Sequence, residues 1–153
     1  MPQTTLTRIL LPGLLACALT APAQQRGNWR AASSTAKSIT GDIVLSDEKI
    51  AINFATFPIA RIRALQPEEI TALFEPEAAT PGTAALYKLE VPAAKKFLHK
   101  NSLCGAEDTQ WMVTYLADRS LHLAFFSGTR PPVLTPEAIA NSTDLCGTYT
   151  YSR

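Results

Sequence analysis

Apolar residues recur at every second position in one short segment after another, and a chain patterned this way buries its hydrophobic side chains by pairing strands into a sheet. Ile50, Ile52 and Phe54 share a face of residues 50–54, which the polar turn Ser46-Asp47-Glu48-Lys49 joins to a strand over 42–45. Residues 59–65 alternate Ala60, Ile62 and Ala64 with Arg61 and Arg63, after a bend at Pro58. Over 84–91, Tyr87, Leu89 and Val91 lie opposite Leu86, Lys88 and Glu90. The clearest hairpin joins 110–116 to 121–126 through Ala117-Asp118-Arg119-Ser120. Trp111, Val113 and Tyr115 share one face of its first strand, and Leu121, Leu123 and Phe125 one face of its second. Both strands are also apolar on the other face, through Met112, Leu116, Ala124 and Phe126, which implies a central position, a covered outer surface or a lined cavity. A last strand covers 146–151.

Short helices are predicted in the connections. Pro67 and Glu68-Glu69 suit the first turn of a helix ending at Phe74. Ala93, Ala94 and Phe97 form an apolar stripe at helical spacing over 92–100, and Thr135-Pro136-Glu137 opens a helix through Ala140. Residues 24–34 carry few apolar anchors besides Trp29 and read as loose. About seven strands with short helices between them predict a mainly β fold, an antiparallel sheet curled into a barrel or half-barrel. The alternative is an open α+β sheet with helices on one side.

Address and covalent structure follow from the N-terminus. Arg8, the apolar and small run Ile9 to Thr20, and Ala21-Pro22-Ala23 form the pattern of a cleavable secretory leader over residues 1–23, leaving a single β-rich domain over 24–153. Leu14-Leu15-Ala16-Cys17 offers an alternative, lipid attachment at Cys17. The expected location is the periplasm or the medium, with a membrane anchor at Cys17 as the second choice. Cleavage after Ala23 leaves about 130 of the 153 residues, enough for one core. The mature chain then holds Cys104 and Cys146 only, and in an oxidising compartment these are expected to form a disulfide. The formal charge of +1 falls to zero with the loss of Arg8, and acidic and basic side chains are interspersed, so no long-range field draws in polyanions or anionic lipid, and nucleic-acid binding is not expected. No stretch after residue 24 approaches the ~20 apolar residues of a membrane-spanning helix.

Chemistry is sparse. His99 and His122 stand in no metal-ligand spacing, and no serine lies in Gly-x-Ser-x-Gly or Ser-x-x-Lys. Glu68-Glu69 and Glu107-Asp108 are sequence neighbours that point different ways, so neither pair is assigned to acid–base work. No metal, cofactor or catalytic residue is expected. Arg61 and Arg63, two apart on a strand, would project from one face and offer two guanidinium forks to a carboxylate or phosphate. A solvated strand face is the plainer account of them. Trp111, Tyr115 and Phe126 are the residues placed to line a ligand cavity, with core filling as the plainer account. Asn141-Ser142-Thr143 fits a glycosylation acceptor.

Two resemblances bear on this. Gly27-Asn28-Trp29 is similar to the Gly-x-Trp that opens the first strand of lipocalins, which implies a barrel holding a small apolar ligand. Ser38-Ile39-Thr40-Gly41-Asp42-Ile43, Leu103-Cys104-Gly105 and Leu145-Cys146-Gly147-Thr148-Tyr149 resemble segments of a group of small exported bacterial proteins without an assigned role, which implies export and the disulfide. The leading expectation is a non-enzymatic protein that holds a small apolar or amphipathic ligand in a barrel. The second is an envelope protein-interaction or inhibitor module using loops such as 127–135. A hydrolase ranks third.

Overall fold

The computed structural model describes residues 25–153; the leader expected over 1–23 and the lipidation candidate Cys17 lie outside the described residues. The strands are β1 (Gly27–Ala31), β2 (Ile43–Leu45), β3 (Lys49–Ile52), β4 (Ala55–Ala64), β5 (Ala84–Val91), β6 (Thr109–Ala117), β7 (Ser120–Phe126) and β8 (Leu145–Ser152). Each pairs antiparallel with the next, and β8 pairs with β1, so the sheet closes into an eight-stranded up-and-down barrel. The seam is short: Arg30 faces Ser152 and Ala31 faces Tyr151. Closure removes the free edges that the open-sheet alternative would carry.

Two cores share one wall. Inward positions of every strand fill the barrel with Trp29, Ile43, Ile50, Phe57, Leu89, Met112, Leu121, Phe125, Tyr149 and Tyr151, among others. Outward positions of β5, β6 and β7 build a second cluster of Leu86, Trp111, Val113, Tyr115, Ala124 and Phe126. Helix α2 (Pro67–Phe74) covers it with Ile70 and Leu73, and Leu134 and Ile139 close it from the 127–144 connection, which carries helix α3 (Pro136–Ala140). The covered outer surface is therefore the correct one of the three readings of the two-faced hairpin. Among the described residues, no helix is long and apolar enough to cross a membrane.

Several local expectations need correction. The supposedly loose N-terminal stretch forms β1, anchored by Trp29, which is 1% exposed and donates its indole N–H to the Gln25 carbonyl at 2.7 Å. A helix not predicted, α1 (Ser34–Ile39), follows; Ser33 caps it and Ala36 is its buried residue. The helix predicted over 92–100 does not form. Its residues instead make turns and one 3-10 turn at Leu98–Lys100, with His99 and Lys100 at φ 54° and 60°. The chain here must cross the open end of the barrel and insert Phe97, whose ring meets Phe57 edge-on with centroids 6.1 Å apart. The Asp108 carboxylate takes the Ala93 N–H at 2.8 Å, fixing the start of the crossing in a non-helical form. Phe54 is also misplaced by the alternation. It stands outside the β3 face, in a two-residue turn with Asn53, because the chain must reverse after Ile52 to pair β3 with β4.

The Cys104–Cys146 disulfide forms as expected, with Cα atoms 5.0 Å apart. It ties the 92–108 crossing to the start of β8 across a sequence separation of 42 residues. On the chain-entropy model a loop of that length is worth about 4 kcal/mol. Reduction, or Cys146→Ser, is expected to lower the thermal midpoint by roughly 15 °C. Differential scanning calorimetry with and without reductant checks this.

Candidate functional site

The structure disperses the residues that the sequence would gather into one site. Arg61 and Arg63 are exposed, but a β-bulge lies between them. Arg61 pairs with Tyr87, which packs on the barrel interior, and Arg63 pairs with Leu86, which belongs to the outer core. The extra residue, Ile62, thus sends the two guanidinium groups to opposite faces, and they form no joint anion clamp. Arg63 instead holds the Glu69 carboxylate by two bonds of 2.8 Å. Glu69 in turn accepts the Gln66 backbone N–H at 2.8 Å, so the pair secures the first turn of α2. The hydrogen bonds from Arg63 hold the Glu69 carboxyl below its ordinary range, against a smaller opposing effect of burial. Arg61 lies beside the Tyr87 hydroxyl, whose pKa burial raises while Arg61 works against that rise.

Trp111, Tyr115 and Phe126 do come together, on the outer wall. A ligand inside the barrel would not meet them. The Trp111 indole N–H donates to the Gly128 carbonyl at 3.1 Å, and Lys88 Nζ sits 4.6 Å above the indole ring. Tyr115 donates its hydroxyl proton to the Ala78 carbonyl at 3.0 Å. Each polar tip is thereby bonded to a loop that covers the wall. Phe126 faces Trp111 across the β6–β7 pair and is 1% exposed.

His122 joins this wall. Its ring stacks on Tyr115 with centroids 5.8 Å apart and leans on Phe74 at 5.7 Å, and Nδ1 lies 3.3 Å from Thr150 Oγ1. Burial pushes the imidazole pKa below its ordinary 6.5. His99 lies elsewhere, on the 92–108 crossing, with Nδ1 3.0 Å from the Ser38 carbonyl oxygen. Asn141 closes α3, donating its side-chain N–H to the Glu137 carbonyl at 2.9 Å. Among the described residues, no three or more His, Cys, Asp or Glu side chains are grouped to hold a metal ion.

Two features escaped the sequence. The Tyr149 hydroxyl is buried inside the barrel without a hydrogen-bond partner among the described residues, and burial pushes its pKa up to about 12. Its ring meets Phe125 edge-on at 5.2 Å, while the neighbouring Tyr151 hydroxyl is paired with Thr40 Oγ1 at 2.7 Å. No pattern in the sequence distinguishes these two tyrosines, which alternate on the same strand face. The second feature is Phe54, which is fully exposed at the tip of the β3–β4 hairpin, with φ 67° beside φ 46° at Asn53. Asn53, a turn-former between two alternating runs, was the available signal.

A scan of protein-family models, a search of curated proteins and a search of solved structures each give no match.

The lowered pKa of His122 sets a direction for acid stability. The unfolded chain takes up the His122 proton first as pH falls through about 6.5, whereas the folded wall resists it. The contribution is complete above that pH and is lost as pH drops toward the folded pKa. Between about pH 7 and pH 5 the urea midpoint of the wild type is expected to fall relative to that of His122→Phe, because only the wild type carries this slope.

Proposed function

We propose that this protein is a non-enzymatic binding protein that works from its outer surface, with the barrel as a rigid scaffold. The observation that carries the proposal is the filling of both cores. Trp29, Phe125, Tyr149 and Tyr151 occupy the barrel, each less than 2% exposed, and the outer aromatics Trp111, Tyr115 and Phe126 are consumed in joining wall to cover. Among the described residues, the large apolar side chains left to a partner are Val44, Phe54, Ile62 and Val133, all on the surface, with Val133 in the 127–135 loop. An envelope interaction or inhibitor module, in the periplasm or secreted, fits these features. The disulfide between the crossing and β8 supports an oxidising compartment.

The reading of a small amphipathic guest inside the barrel draws support from one group, the unpartnered Tyr149 hydroxyl, because a guest with an acceptor would satisfy it.

Native and denaturing mass spectrometry of protein exported by a bacterial host separates these readings. The surface reading predicts a native mass equal to that of the oxidised chain alone. A stoichiometric small-molecule adduct, retained in the native spectrum and released on denaturation, would overturn it in favour of the interior guest.

A further inference from the structure

We infer that the 92–108 crossing is a lid over one end of the barrel, latched by the Cys104–Cys146 disulfide and released as a unit when that bond is reduced. The inference concerns a motion of the scaffold and does not rest on the surface reading.

The crossing is far longer than its connection requires. It joins β5 to β6, antiparallel neighbours paired from Ala84–Tyr115 to Val91–Thr109, and a hairpin loop of about 2–5 residues suffices for that task. The remainder closes the end of the barrel, yet few contacts fix it there. Its backbone–backbone hydrogen bonds run from Lys95 to Pro92, Phe97 to Asn101, Asn101 to Leu98 and Glu107 to Cys104, all within the segment. The bond from the Ala93 N–H to Asp108 is internal as well. Outward, His99 and Asn101 share a single acceptor, the Ser38 carbonyl. Phe97 and Leu103 are the buried residues of the segment. Neither ion pair among the described residues, Arg26–Asp47 or Arg63–Glu69, involves it. The disulfide is therefore the strongest restraint between the crossing and the sheet.

Two observations favour release once that restraint is gone. His99 and Lys100, consecutive and neither of them glycine, are held at φ 54° and 60°. A side chain disfavours this conformation, which persists only while surrounding contacts impose it. On the barrel side of the latch, the Tyr149 hydroxyl has no partner among the described residues. It lies 3.8 Å from the point where a Cβ on Gly147 would stand, beside the residue that follows Cys146. Admitting water there satisfies a hydroxyl that the closed lid leaves unsolvated.

A closed sheet remains after release. β6 pairs with β7 from Trp111–Phe126 to Ala117–Ser120, and β7 with β8 and β8 with β1, without any residue of the crossing. The strands keep their register while the lid moves, as a local opening below the global one.

The chemical step is thiol–disulfide exchange with a dithiol as reductant, and Cys104 and Cys146 are both half-buried, within its reach. A thiolate of the dithiol attacks one sulfur to form a mixed disulfide, and its second thiol then displaces the protein sulfur. Two electrons and two protons pass to the protein, Cys104 and Cys146 become thiols, and the dithiol leaves as a disulfide. A disulfide donor runs the exchange backwards and seals the barrel.

Hydrogen-exchange mass spectrometry of the oxidised protein and of the same protein reduced with dithiothreitol tests the inference. Reduction is expected to speed exchange over 92–108 on the order of tenfold or more, while the β6–β7 amides stay protected at the same labelling times. A Cys104→Ser, Cys146→Ser double variant is expected to match the reduced protein without reductant. Unchanged exchange over 92–108 on reduction would mean that Phe97 and Leu103 hold the crossing without a latch. Simultaneous loss of protection over 92–108 and β6–β7 would mean a staple whose loss unfolds the whole barrel. Either result overturns the inference. Neither bears on the native mass of the oxidised chain, so the surface reading stands or falls separately.

Discussion

The β6–β7 pair carries the rest of the structure, because it is the wall of both cores at once. Met112, Leu116, Leu121, Leu123 and Phe125 face into the barrel; Trp111, Val113, Tyr115, Ala124 and Phe126 face out. An alternation with one polar face specifies its own register, since a slip of one residue would bury the wrong set. Here both sets are apolar, and hydrophobicity alone leaves a slip cheap. Polar tips supply the missing specification. Trp111 bonds to Gly128, Tyr115 to Ala78, and the inward Thr114 donates to the Gln25 side chain at 2.9 Å. Each bond matches one side chain to one piece of the cover or of the entering chain, so a slipped strand would bury unsatisfied groups at a cost of about 1–3 kcal/mol each.

This double use of one wall decides where recognition has room. The helix α2, the α3 connection and the outer aromatics are all spent on covering β5 to β7. The other side of the barrel needs no such cover. Outward positions of β1 to β4 include Asn28, Arg30, Lys49 and Thr56, polar groups that rest in water. One end of the barrel is crossed by the 92–108 segment, which Phe97 and Leu103 plug and the disulfide fastens to β8. The β3–β4 tip, with Phe54 exposed, lies at the same end of the closed sheet.

Much of this architecture was legible in the alternation. Strands β2 to β8 fall where the period of two placed them, apart from their ends, and the apolar second faces of β6 and β7 were visible, although a central position, a covered surface and a lined cavity fitted them equally. What escaped depends on contacts remote in sequence. β1 has Trp29 as its one fully buried anchor, and its partners are β2 and a strand at the far end of the chain. α1 is six residues long and buries only Ala36, too little for a periodic signal. Of the 92–100 stripe only Phe97 is buried, so its helical spacing marks no buried face, and the crossing of the barrel end decides the backbone. The Arg61/Arg63 pair shows the limit for the candidate site. Strand spacing places both on one face, and a single bulge, visible only once β4 is paired with β5, places them on opposite faces.

The central claim is that Trp111, Tyr115 and Phe126 hold the wall to its cover, which leaves recognition to the free surface. Phe126 tests it most directly, since its ring is buried in the outer core and its side chain makes no polar contact that would complicate the result. Equilibrium unfolding of Phe126→Ala in urea, followed by far-ultraviolet circular dichroism, is predicted to show a loss of about 3–5 kcal/mol in a single cooperative transition. A loss below about 1 kcal/mol would contradict the account, because an aromatic that the fold does not need would be free to serve a ligand.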